Sequence, residues 1–108
     1  MPTAAKPQPA GEDPIKVDPK HYGVEVENDS VRVLRIKYGP NEKSTMHAHP
    51  AIVSVALTDG HLRFTYPDGR SEEFHLKAGE VLSFDAIVHL PENLSNKPFE
   101  AVAVELKK

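Results

Sequence analysis

His47 and His49 stand one residue apart in Met46-His47-Ala48-His49-Pro50, and His89 lies further along inside the apolar run Ile87-Val88-His89-Leu90. Neutral imidazole is a common ligand for zinc, iron, copper and nickel, and three of them leave coordination positions open for water or substrate. In an extended segment alternate side chains share a face, so His47 and His49 point one way while Met46 and Ala48 point the other. Pro50 supplies no backbone donor and suits the end of a strand. An unpartnered imidazole at His89 would bear a desolvation cost. By themselves these residues admit a three-ligand metal site, a chance surface pair and a satisfied core histidine.

The other chemistry-bearing residues read more plainly. His61 shares a face with Arg63 and Thr65, opposite Leu62, Phe64 and Tyr66, and His75 lies beside Glu73, opposite Phe74 and Leu76; both are predicted to face solvent. His21 is read as a surface residue, Ser54 as a strand residue without a His/Asp partner arrangement, Arg35 as solvated and Tyr38 as an aromatic at a strand end. Asp85 and Glu92 could place a carboxylate behind an imidazole, but each sits where exposed acids are ordinary. The chain has no cysteine, hence no disulfide or thiolate site, and histidine and carboxylate must carry any chemistry. A net charge of −3 with interspersed signs and no tryptophan argues against nucleic acid. No apolar run is long enough to cross a bilayer and no export signal opens the chain, so it reads as a soluble protein without a membrane partner.

These residues must be positioned by a chain of 108 residues, the size of one domain. Residues 1–19 carry five prolines among alanines and charges and read as a flexible Pro/Ala-rich N-terminal arm; residues 20–108 read as the domain. The compartment stays open: cytoplasmic as written, periplasmic or secreted if the arm is a processed mature end. Short strands are predicted over 22–27, 31–38, 52–57, 61–66, 71–76, 81–84, 88–90 and 100–106, separated by Asn, Asp, Gly and Pro. No stretch repeats apolar residues at helical spacing, so the fold class is all-β. Tyr66-Pro67-Asp68-Gly69-Arg70 is the clearest hairpin turn. Val53, Val55 and Leu57 form the bulkier face of one strand, and Val102, Val104 and Leu106 that of the last; the core is expected between them.

Asn41 to Gly60 resembles the first motif of the cupin superfamily, in which a glycine, five residues, His-x-His, a few residues, a glutamate, six residues and a glycine follow in order. Asn41 falls on the first glycine, a mild change because Asn tolerates left-handed φ, and Gly60 on the last. Val53 falls where the family has its glutamate ligand. Gly79 to Asn93 is similar to the second motif with one residue deleted, keeping the spacing from His89 to Asn93. The resemblance implies a single-domain cupin jelly-roll β-barrel that gathers His47, His49 and His89, and a homodimer in which terminal strands join the partner's sheet. It further implies one divalent transition metal (iron, zinc, manganese, nickel or copper) and a small-molecule ligand or substrate. Some three-histidine cupins resemble dioxygenases and others have lost the metal, so a metal-dependent oxygenase-like enzyme and a non-catalytic binding or sensing barrel both stand. Three neutral ligands leave the ion's charge uncompensated, which favours an anionic species at the open positions.

Overall fold

The computed structural model describes residues 11–107. One helical turn, α1 (Pro14–Val17), precedes nine strands: β1 (Tyr22–Glu27), β2 (Val31–Tyr38), β3 (His47–His49), β4 (Ile52–Ala56), β5 (Gly60–Thr65), β6 (Ser71–Leu76), β7 (Val81–Phe84), β8 (Ile87–Asn93) and β9 (Phe99–Leu106). They form two antiparallel sheets, one of five strands in the order β1-β2-β9-β4-β7 and one of four in the order β3-β8-β5-β6. This is the jelly roll expected: two sheets face one another and bury their inner side chains between them.

The turns follow their chemistry. Gly69 adopts φ +89° and closes the Tyr66–Arg70 hairpin, with Tyr66 N donating to Arg70 O at 2.8 Å. Asn41, in the place of a glycine, does have left-handed φ, +60°. The strand around His89 is longer than expected: it continues through Pro91 to Asn93, because the Pro91 carbonyl still accepts from Ser44 N at 2.9 Å.

The expected core faces are reversed on two strands. Across the five-stranded sheet Leu34, Ala103, Ser54 and Leu82 are successive partners, as are Ile36, Ala101 and Ala56, and this is the inner face. The bulkier set, Val53 against Val104 and Val55 against Val102, lies on the outside, with Leu57 44% exposed. The inner positions are small because rings from the other sheet and from β1 and β2, among them Tyr22, Tyr38 and Phe64, already fill the space there.

Residues 1–10 of the arm lie outside the described residues; in 11–19, Pro14 and Asp18 are buried. Asp13 caps α1, its carboxylate accepting from Ile15 N at 3.0 Å.

Candidate metal centre

β3 and β8 pair so that His47 stands directly opposite His89, and strand alternation puts His49 on the same face as His47. The three rings meet nearly edge to face, with centroids 4.8, 4.8 and 5.2 Å apart. One nitrogen from each lies within 4.8 Å of the others. All three are buried, at 0, 2 and 5% exposure.

The hydrogen bonds orient two of the rings. His47 Nδ1 donates to Thr45 O at 2.7 Å, which leaves the Nε2 lone pair pointing inward. His49 Nδ1 donates to Glu105 Oε2 at 2.6 Å, with the same result. His47 Nε2 and both nitrogens of His89 have no hydrogen-bond partner among the described residues. Leaving such buried atoms unsatisfied costs on the order of 1–3 kcal/mol each. Burial, reinforced by His49, pushes His47 down to about 4, and burial with both neighbouring imidazoles holds His89 well below its ordinary value. Neutral, inward-facing lone pairs at the centre of the barrel are what a divalent ion requires of histidine.

Several residues that the sequence reading passed over support the cluster. Glu105 is 2% exposed, on the inner face of β9. Burial pushes its carboxyl up, yet hydrogen bonds from His49 and Arg32 together hold it below the ordinary value. It accepts from Arg32 Nε at 2.8 Å, and Arg32 reaches on to Asp13 through both terminal nitrogens at 3.0 Å. On the other flank Ser44 Oγ lies 3.2 Å from His47 Nδ1 and donates to Asp18 Oδ2 at 2.5 Å. His21, expected at the surface, is buried between Asp18 and Glu42, with ring nitrogens 2.8 and 2.9 Å from their oxygens, and stacks on Tyr38 at 4.3 Å. Asp85 is exposed and Glu92 pairs with Arg63, so neither is the carboxylate behind an imidazole.

His61, Glu73 and His75 form a second histidine-carboxylate group, with Glu73 and His75 exposed and the imidazoles stacked at 4.0 Å. They lie on the solvent face, as expected. Solvent already satisfies such groups, whereas the inner three have no such recourse.

A cavity of about 60 Å³ adjoins His49 and His89. Tyr22, Leu62, Phe64, Leu82 and Phe99 are among its lining side chains, Ser54, on the inner face of β4, opens onto it, and the exposed Glu80 adds a carboxylate to the lining. No lysine or arginine lines it among the described residues. Val53 points away, so the strand carries no carboxylate toward the histidines.

Comparison with known proteins agrees with this architecture. Residues 34–105 match the family model described as a cupin domain. A cupin domain from Bordetella pertussis Tohama I is 27% identical with a TM-score of 0.74, covering 81% of this chain and 92% of that one. An uncharacterized conserved protein with a double-stranded β-helix domain from Klebsiella pneumoniae is 19% identical (TM-score 0.66; 95% and 83% covered). A cupin superfamily protein from Desulfitobacterium hafniense is 14% identical (TM-score 0.61; 81% and 76% covered). Comparison with curated proteins finds no match.

Proposed function

The chain belongs to the cupin domain family, and from that premise we propose that it holds one divalent transition-metal ion on His47, His49 and His89 and acts on a small molecule in the adjoining cavity, as an oxygenase-like enzyme. The observation that carries this reading is three buried imidazoles with one nitrogen each within 4.8 Å of the others, His47 Nε2 and both nitrogens of His89 having no hydrogen-bond partner among the described residues. The ion would supply Lewis acidity or oxygen activation at its open positions. The protein's own residues do the rest. Thr45 O and Glu105 fix which nitrogen of His47 and His49 faces inward, while Tyr22 packs on His47 at 4.8 Å and Phe64 on His89 at 4.4 Å, keeping bulk water from the cluster.

The cavity narrows the substrate class. With no cationic side chain in its wall and the carboxylate of Glu80 beside it, attraction for negative charge rests on the ion alone, so the substrate is a small, mostly apolar molecule with one oxygen donor, rather than a multiply charged anion. Burial raises both Tyr22 and Tyr38, which share a hydroxyl–hydroxyl hydrogen bond of 2.7 Å, so both stay protonated at the wall. The largely apolar wall also supports a second reading, a binding or sensing barrel without catalysis. A homodimer is part of the same proposal, with the outer valines of the five-stranded sheet as the face that meets a second copy.

Metal analysis of protein purified without a nickel column tests the centre. Near-stoichiometric metal is expected, lost on replacing His47, His49 or His89 by alanine and retained when His61 and His75 are replaced. An empty site that no added divalent ion stabilises would sink the proposal. Oxygen consumption across diketones, thiols and enols separates enzyme from binding barrel.

A further inference from the structure

The segment from Gly11 to Asp18 touches the outer side of the histidine cluster at three separate points. Glu12 O accepts from Ala48 N at 2.8 Å, on the residue between the two histidines of β3. Gly11 packs so closely here that a Cβ would stand 2.9 Å from Ala48 Cβ. Asp13 grips Arg32 bidentately, Arg32 holds Glu105, and Glu105 sets the ring of His49. Asp18, at the end of α1, accepts from Ser44 Oγ, which lies against His47 Nδ1. One short segment thus backs the strand that carries two of the proposed ligands, and reaches both of their outer nitrogens through side-chain chains.

We propose that residues 11–18 are a clasp for the metal centre, so that seating of this segment and occupation of the three histidines by an ion favour each other. The inference rests on the metal-binding reading above. Ordered outer groups hold the ligand nitrogens in place before the ion arrives, and the ion in turn holds β3 in the position the clasp grips. Such coupling is reciprocal by necessity. Asp13, Arg32 and Glu105 are positioning residues: none reaches the ion, and each acts through the next.

The test uses the full chain and Zn²⁺. Asp13→Asn keeps a side-chain oxygen to cap Ile15 N but loses the charged grip on Arg32. It is expected to weaken Zn²⁺ binding about threefold to tenfold, and Glu105→Gln, one link nearer, about 10- to 100-fold, the usual range for partners of ligating histidines. Saturating Zn²⁺ is expected to slow hydrogen exchange at the amides of Ile15, Lys16, Val17 and Asp18 in the wild type, but not in Asp13→Asn, a response that a merely structural role would not show. Wild-type affinity in Asp13→Asn, together with exchange that Zn²⁺ slows in β3 and β8 alone, overturns the clasp and leaves the metal centre standing. A wild-type chain that binds no Zn²⁺ overturns both.

Discussion

At the scale of residues, the candidate centre was half legible. His47 and His49 declare themselves by spacing, and the family pattern points to His89; Glu105 does not, because its strand alternates Phe99, Ala101, Ala103, Glu105 against a set of valines that looks more like a core. That misreading also misplaces the missing carboxylate. Val53 lies at the family's glutamate position by count but on the outer face by geometry, whereas Ser54 opens onto the cavity with His49 and His89. Ser54→Glu is therefore expected to tighten Zn²⁺ binding about tenfold, roughly 1.4 kcal/mol, and Val53→Glu to leave it unchanged, measured by chelator competition. The reverse order would restore the outer face to the core. Acid sensitivity follows from the same burial. The unfolded chain protonates His47 and His89 near 6.5, while burial keeps folded His47 neutral down to about 4 and holds folded His89 well below its ordinary value. Below 6.5 the unfolded state binds more protons, so apo stability falls as pH drops, by up to about 1.4 kcal/mol per pH unit for each histidine, and the slope from them fades out above about pH 7.5. Urea melts at pH 7, 6 and 5 check this; equal stabilities would contradict it.

At the scale of elements, turns and strands were readable because Asn, Asp, Gly and Pro act locally, while the face each strand buries is decided by the opposite sheet. No rule of alternation says that rings of β1, β2 and β5 have already taken the space over β9. Packing explains a glycine here too. A Cβ on Gly60, at the start of β5, would meet Phe99 Cδ1 at 2.5 Å and Cε1 at 2.7 Å, and Phe99 is only 4% exposed. Gly60→Ala is expected to cost about 1–3 kcal/mol in urea unfolding, by driving that ring from its site. A neutral result would mean that Phe99 has room to turn. The family motif places a glycine at this position without a reason; the neighbouring ring supplies one.

At the scale of the whole molecule, the two faces of the five-stranded sheet differ in what they carry. Its outer face carries Val33, Val104 and Val53 side by side, with Val102 and Val55 in the next row. Val26 and Val81, 54 and 56% exposed, extend it. Light scattering is expected to find a dimer at micromolar concentration, and Val104→Lys a monomer, since a desolvated ammonium would oppose the apposed valines. A wild-type monomer would remove this face from the proposal. The inner face sets something else. Ser54, Ala56 and Ala101 keep open the space beside the histidines, on the same strands that put valine outside. Each is a place where one added methylene is expected to narrow that space, so the molecules the proposed site would admit can be retuned by small steps in wall thickness while the three histidines stay in the sequence unchanged.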